Sequence, residues 1–326
     1  MKAIVVTELG KPEVMKYMDI DIPTIKPTQV LIQVEKTSVN YADVKARYGK
    51  KGSGKLPFVP GLDVAGTIVE KGSEVQHLQV GQRVIAFPSS GSYSEYAVAE
   101  QNLTYEIPDT IDFDTAAACP TVSFLSYKLL AEIAKMEKGE TILIHAAAGG
   151  VGTTAIQLAK ILGAGKVKGT VGNENKASIA LKAGADHVVT YQNFEEKVNE
   201  LTDGKGVSII LDSIAGEMTE RSLTCLAPYG RFVQFGHSSG KAGTIKTSDL
   251  HSSCRSILGF SLGTTRKQRP DSLQTTAKQV LKYISEGKLK FEIGHRFPLK
   301  DAQFAHQLIE SRLSTGKILL DVRGNG

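Results

Sequence analysis

The stretch Thr141-Ile142-Leu143-Ile144-His145-Ala146-Ala147-Ala148-Gly149-Gly150-Val151-Gly152 decides the fold. A short apolar run enters a turn of small residues, and beyond the turn the hydrophobic period changes. Ala155, Ile156, Leu158, Ala159, Ile161 and Leu162 recur at helical spacing, and Gly163 can end the helix. Thr141–Ala146 therefore reads as a strand and Thr153–Leu162 as a helix. Against the pattern G-x-G-x-x-G, Ala147 stands in the first glycine slot. Gly149 would let the backbone approach a pyrophosphate, and Gly152 would let helix and strand pack closely. The anion would then sit on the N-terminal N–H groups of the helix. A glycine run is weak evidence alone, but a strand before it and a helix after it are the context that gives it meaning.

The choice of dinucleotide turns on the next strand. An acid about 20 residues on would bind a ribose 2′-hydroxyl. Here the strand ends Gly169-Thr170-Val171-Gly172, with Asn173 and then Lys176 following. A lysine in that place suits a 2′-phosphate, so NADPH is the expected cofactor, although Glu174 lies close enough to oppose the phosphate.

Downstream the strand–helix rhythm repeats. Val167–Val171, His187–Tyr191, Val207–Asp212 and Arg231–Phe235 read as strands. Helical runs lie at Lys176–Lys182, Phe194–Thr202 and Glu217–Leu226. Such alternation predicts a parallel sheet covered on both faces. Upstream the texture differs: Lys2–Val6, Gln29–Val34, Val64–Val69 and Gln82–Phe87 are short β-like runs separated by Gly and Pro, which predicts a compact barrel-like β domain. The tail holds one helix, Asp301–Leu313, with Ala302, Ala305, Leu308, Ile309 and Leu313 on one face, and one strand, Ile318–Val322. Neither has a sheet of its own there, so both are expected to return to the first domain. The reading assigns 1–124 and 262–326 to a β-rich domain and 125–261 to an inserted dinucleotide domain.

Composition narrows the rest. The 326 residues carry 39 basic and 34 acidic side chains, a net charge of +5 too mild to demand a nucleic acid. Aromatic residues are 6% and do not interleave with the basic runs, so a stacking platform for RNA is not expected. The three cysteines, Cys119, Cys225 and Cys254, are scattered and make neither a disulfide framework nor a zinc knuckle. No apolar run reaches the roughly 20 residues of a membrane span. A soluble cytoplasmic protein is expected.

With the motif in view, the chain resembles the zinc-independent quinone oxidoreductases (the zeta-crystallin group) of the medium-chain dehydrogenase/reductase superfamily. The likeness runs nearly end to end. It includes Asn40-Tyr41-Ala42-Asp43, Gly61-Leu62-Asp63-Val64-Ala65-Gly66, Tyr93-Ser94-Glu95-Tyr96, Ala183-Gly184-Ala185-Asp186 and Asp212-Ser213. Phe235-Gly236-His237-Ser238-Ser239-Gly240, Pro298-Leu299-Lys300-Asp301-Ala302 and Glu310-Ser311-Arg312 complete it. The resemblance implies a GroES-like β-rich catalytic domain with an inserted Rossmann domain, a doubly wound parallel sheet, in the α/β class. It implies no metal site, since Ser38-Val39-Asn40 and Leu62-Asp63 stand where zinc-dependent relatives carry a cysteine and a His-Glu pair.

The resemblance also implies site residues. Asn40 and Asp43 would border the nicotinamide pocket, and Gly150, Val151 and Gly152 would hold the pyrophosphate. Lys176 would meet the 2′-phosphate and Tyr191 the adenosine half. Ser213, Phe235, Gly236 and Ser239 would line the nicotinamide side, and Arg312 would reach in from the last helix. Two positions depart from the pattern. Leu125 with Ser126 stands where a threonine is frequent, and Tyr48 in Arg47-Tyr48-Gly49 matches the expected tyrosine imperfectly.

Bland readings compete with these roles. Asp43 serves equally as a helix cap, His145 as a structural hydrogen-bonder, Tyr41 and Tyr48 as packing residues, and Lys50-Lys51-Gly52-Ser53-Gly54-Lys55 as a solvated loop. With no metal and no evident general acid, the acceptor should be intrinsically reactive: a quinone, or alternatively a 2-alkenal or enone if Tyr41, Tyr48 or water protonates the developing enolate. A non-catalytic NADPH- or RNA-binding protein is the reading from another class. A homodimer is expected, with the last strand of the inserted sheet, near Ser256–Leu262, pairing across a two-fold axis.

Overall fold

A computed structural model of the chain describes residues 1–50 and 55–323. The loop expected over Lys50–Lys55 thus falls largely outside the described residues. By contact density the chain divides into one unit of residues 1–121 with 265–326 and a second of residues 122–264.

The first unit opens with a two-stranded antiparallel ribbon, β1 (Lys2–Val6) and β2 (Met15–Asp19). Its main sheet starts with β3 (Gln29–Val39), an eleven-residue strand whose Val30, Ile32 and Val34 are fully buried. β3 delivers the chain to Asn40 and the short helix α1 (Tyr41–Arg47). β4 (Val64–Lys71), β5 (Arg83–Ala86), β6 (Tyr96–Glu100) and β7 (Thr104–Glu106) follow, and then helix α2 (Phe113–Ala118). Apolar side chains of β3 to β6, with Val75 and Leu78, close one dry core.

Helix α3 (Pro120–Tyr127) carries the chain onward into a π-helical turn, Lys128–Ile133. In the second unit β8 (Thr141–Ile144), α4 (Gly150–Ile161), β9 (Lys166–Val171), α5 (Ala177–Lys182) and β10 (His187–Thr190) form two successive strand–helix–strand units. α6 (Phe194–Glu200), β11 (Val207–Asp212), α7 (Glu217–Leu223), β12 (Leu226–Gln234), α8 (Ser248–His251) and β13 (Ser256–Gly259) complete it. The six strands are all parallel, in the order β10-β9-β8-β11-β12-β13. That is the doubly wound order, whose switch point lies between β8 and β11. The turn quoted at the outset follows β8.

The helix starts three residues earlier than expected. Gly149 is extended at φ −81° and ψ 170°, so the helix begins at Gly150 and the motif glycines form its first turn.

After α9 (Leu262–Gln268) and α10 (Gln274–Ser285) the chain contributes β14 (Ile293–Pro298), α11 (Ala302–Glu310) and β15 (Lys317–Asp321) to the first unit. β15 pairs antiparallel with β3 and parallel with β14, giving the sheet order β14-β15-β3-β4-β5-β7, with β6 also on β3. α11 stops at Glu310, short of expectation. Leu313 lies beyond it and is 73% exposed, so it does not share the apolar face of Ala302 and Ala305.

Candidate functional site

On the second unit, the site is built on the turn from β8 to α4. Ala146 adopts a left-handed φ of 53°, unusual for a residue with a Cβ. It is pinned there because its N–H donates to the hydroxyl of Tyr191 at 3.0 Å, while the N–H of Ala147 donates to the Thr170 carbonyl at 2.9 Å. A Cβ on Gly152 would come within 2.4 Å of the Ala146 carbonyl oxygen, so only glycine lets α4 lie this close to β8. Among the described residues no side chain caps α4, so the first N–H groups of the helix take no side-chain acceptor there and can serve an anion. A dinucleotide pyrophosphate fits this turn. Lys176 lies half-buried at the start of α5, and burial lowers its pKa.

The loops after β11 and β12 are fastened to each other. The buried Asp212 carboxylate accepts the N–H of Ile214 at 2.7 Å and of Ala215 at 3.1 Å, and burial raises its pKa. Phe235 N–H donates to the Asp212 carbonyl, and Ser238 and Ser239 N–H groups donate to the carbonyls of Ser213 and Ile214. A Cβ on Gly236 would meet the Ser213 carbonyl oxygen at 2.9 Å. The structure thus brings Ser213, Phe235, Gly236 and Ser239 together. His145 is fully enclosed, with Nδ1 2.8 Å from Thr170 Oγ1 and Nε2 2.7 Å from Ser222 Oγ. Ser126 Oγ donates to the Val151 carbonyl at 3.2 Å, so that hydroxyl is spent within the unit.

The first unit carries the other group of residues. The backbone N–H of Asn40 donates to Asp43 Oδ2 at 2.8 Å, and that of Asp43 to the Asn40 carbonyl at 2.9 Å, which closes the first turn of α1. The Asn40 side chain also reaches inward. Its Nδ2 donates to Asp63 Oδ2 at 2.8 Å and its Oδ1 accepts from Lys317 Nζ at 3.1 Å. Asp63 is fully buried and also accepts from Ser38 Oγ at 2.7 Å, Thr121 N at 3.0 Å and Thr121 Oγ1 at 2.6 Å. Lys317 lies 3.8 Å from Asp63, and burial pushes its pKa down.

Asp43 also anchors a chain of buried groups. Tyr93 lies 3.4 Å from Asp43 Oδ2 and 3.2 Å from His306 Nε2. Arg47 lies 3.0 Å from His306 Nδ1 and pairs with Glu310 at 2.7 Å. Arginine can only donate, so Nδ1 accepts, Nε2–H donates to Tyr93, and the Tyr93 hydroxyl donates to Asp43. Desolvation and the Arg47 charge lower the His306 pKa to about 3. Tyr48, half-buried at the end of α1, faces the Arg47 guanidinium 4.6 Å from its ring centre, and burial with Glu310 raises its pKa. Tyr41 is 41% exposed, with Lys45 over its ring. Arg312 lies exposed just past α11 at φ 60°.

Sequence reasoning gave no role to Asp63, Tyr93, Lys317 or His306. A signal existed for His306, which falls on the apolar face of α11 and is fully buried. Asp63 sat within a quoted motif. Lys317 had no signal, being a lysine that opens a strand.

Two family profiles match: an alcohol dehydrogenase GroES-like domain over residues 26–109 and a zinc-binding dehydrogenase domain over residues 150–280. A quinone oxidoreductase of Pseudomonas aeruginosa is 36% identical, with 98% of this chain and 99% of that protein covered. This chain belongs to the quinone oxidoreductase family. The human quinone oxidoreductase is 34% identical over 98% of this chain and 97% of its own length. Among solved structures, the Escherichia coli quinone oxidoreductase complexed with NADPH superposes with a TM-score of 0.91 at 33% identity, covering 98% of this chain and all of that one. The expected GroES-like and Rossmann architecture is therefore the family's, and the chain is an oxidoreductase of the medium-chain superfamily.

Proposed function

We propose that this protein reduces quinones with NADPH. The observation that carries the reading is the uncapped start of α4 at the switch point, packed on β8 through Gly152 in a chain that aligns end to end with quinone oxidoreductases. The N–H groups of Gly150, Val151 and Gly152 would bind the pyrophosphate, with Gly149 leaving room for its approach. Lys176 would take the 2′-phosphate, and Tyr191, which braces the turn, would lie beside the adenosine. Ser213, Phe235, Gly236 and Ser239 would hold the nicotinamide end, and Arg312 would contact the cofactor from beyond α11. NADPH, when bound, supplies two electrons and a proton as a hydride equivalent. Asn40 would form one wall of the pocket, fixed by Asp63 and Lys317, and Asp43 would set the start of α1.

Zinc independence is part of the proposal. Ser38 and Asp63 bond to each other, and no group of three or more His, Cys, Asp or Glu side chains among the described residues is arranged to hold a metal. Tyr48 favours a second reading, enone or 2-alkenal reduction. Its hydroxyl stays protonated well past neutrality and can donate to an enolate. A homodimer through β13, the outer strand of the parallel sheet, and a cytoplasmic setting complete the proposal.

NADPH oxidation followed by absorbance in chelator-treated buffer tests the reading, with a quinone and an α,β-unsaturated aldehyde in parallel and NADH as control. Quinone turnover indifferent to the chelator is expected. Lys176→Ala should raise KM for NADPH about tenfold, from one lost charge-assisted hydrogen bond, and leave KM for NADH unchanged. Turnover of the aldehyde alone would overturn the quinone reading in favour of the second one.

A further inference from the structure

Arg221, in the middle of α7, ties three segments of the second unit together. Its guanidinium forks onto Glu195 of α6, with Nε 2.7 Å from Oε1 and Nη2 2.6 Å from Oε2. Nη2 also donates to the Tyr191 carbonyl at 2.8 Å, in the loop between β10 and α6. The guanidinium carbon stands 4.9 Å from the ring centre of Phe194, which is fully buried and set edge-on to His145 at 5.2 Å. The side chains of Arg221 and Glu195 are each 26% exposed, and an ion pair that open to water contributes little stability by itself. Its reach distinguishes it more than its strength.

Two routes run from this arginine to the turn after β8. Along the first, Arg221 fixes the Tyr191 carbonyl and the Tyr191 hydroxyl accepts the Ala146 N–H. The Ala146 carbonyl in turn accepts the N–H of Gly149 at 3.0 Å, and Gly149 is the residue from which α4 starts. Along the second, the guanidinium lies on Phe194, and Phe194 packs on His145, the chain neighbour of Ala146. Ala146 needs such bracing. Its left-handed φ of 53° is strained for a residue with a Cβ and persists only where the surroundings over-determine it. With the Tyr191 backbone released, the hydroxyl would move off the Ala146 N–H, Ala146 would relax toward negative φ, and Gly149 would lose its place. A lysine at 221 would keep a charge opposite Glu195 but lacks the planar fork that bonds Glu195 twice and Tyr191 as well.

We propose that Arg221 is a positioning residue for the dinucleotide: acting through Tyr191, it sets the turn that receives the pyrophosphate. The inference rests on the reading above that this turn holds the pyrophosphate, and it names a residue outside the turn on which that grip depends. Arg221 acts on the turn and not on the cofactor. The affinity lost with it is therefore affinity for the pyrophosphate, while recognition of the 2′-phosphate by Lys176 stays.

The test compares two ligands that both lack the nicotinamide. One is 2′-phospho-ADP-ribose, which carries the pyrophosphate, and the other is adenosine 2′-monophosphate, which does not. NADPH affinity is measured first, by the fluorescence of the bound cofactor, and each ligand then competes against it. The wild-type chain should hold the pyrophosphate ligand more tightly. Arg221→Met should weaken that ligand about tenfold, the order of one hydrogen bond to a charged group, and leave the monophosphate within about twofold. Tyr191→Phe, which removes only the hydroxyl, should weaken it by a similar factor. The double variant should lose no more than the larger single loss, because both substitutions cut one chain of contacts. Thermal melting reports folding. Arg221→Lys should melt near wild type yet recover only part of the affinity, and it carries the comparison if Arg221→Met does not fold. Affinity for the pyrophosphate ligand that survives the loss of Arg221, or a loss shared equally by both ligands, would overturn the inference alone. Additive losses in the double variant would overturn the route through Tyr191. A wild-type protein that binds the pyrophosphate ligand no more tightly than the monophosphate would overturn the reading of the turn and this inference with it.

Discussion

Acid should unfold this protein through two buried histidines, one in each unit. His145 and His306 both have pKa values lowered to about 3, against 6.5 for an exposed ring. Desolvation is the main cause for both, with the charge of Arg221 adding to it for His145 and of Arg47 for His306. The folded value lies below the unfolded one, so between about pH 6.5 and pH 3 the unfolded chain binds protons that the folded chain refuses. Stability is therefore lost as pH falls through that window. Each pH unit well inside it costs about 1.4 kcal/mol per histidine, so going from about pH 7.5 to about pH 5 removes about 2 kcal/mol for each.

The His306 share is separable. A glutamine there can accept from Arg47 and donate to Tyr93, yet cannot titrate. Urea unfolding of wild-type and His306→Gln protein across this pH range is the assay. The variant should lose about 2 kcal/mol less than wild type on acidification, whatever the carboxylates contribute to both. Parallel slopes for the two proteins, or a ring that titrates near its ordinary value by NMR, would refute the argument that Arg47 and burial hold His306 neutral.

Gly152→Ala forces a Cβ to 2.4 Å from one backbone oxygen and 2.7 Å from backbone carbon, so it should cost at least about 1–3 kcal/mol and weaken NADPH binding. Gly149→Ala, whose Cβ would meet its nearest neighbour at 3.3 Å, should melt close to wild type, and differential scanning calorimetry compares the two. Asp63→Asn leaves Lys317 buried without its counter-charge and should cost about 3–5 kcal/mol. Adding Lys317→Met to Asp63→Asn should recover part of that loss, which a double-mutant cycle by urea unfolding would measure.

The fold was most legible where its signals are local. Thr141–Gly163 contains a strand, a glycine turn and a helix stop in one window, and every later strand of the parallel sheet had a recognisable apolar run. β2 went unread because Met15-Lys16-Tyr17-Met18-Asp19 is exposed at four of five positions and shows no clear alternation. β14 alternates only between half-buried and exposed residues, too weakly to be seen beside its polar neighbours. In the candidate site, Asn40 and Asp43 were visible by resemblance. Their partners were not, because Asp63, Tyr93, His306 and Lys317 come from four separate segments and meet only in three dimensions.

The pairing of β15 with β3 bears on the order of events during synthesis. A ribosome releases β3, Asn40 and Asp63 early, but Lys317 and the strand that flanks β3 emerge only after the whole second unit has been made. The parallel sheet holds all its own strands by residue 259 and can close while translation continues. Until β15 arrives, Asp63 waits without its cation and the Lys36–Val39 end of β3, beyond the stretch paired with β6, stays open to any passing strand. A nascent chain stalled before residue 317 should consequently be a target for chaperones through its first unit, while its second unit already resists proteolysis.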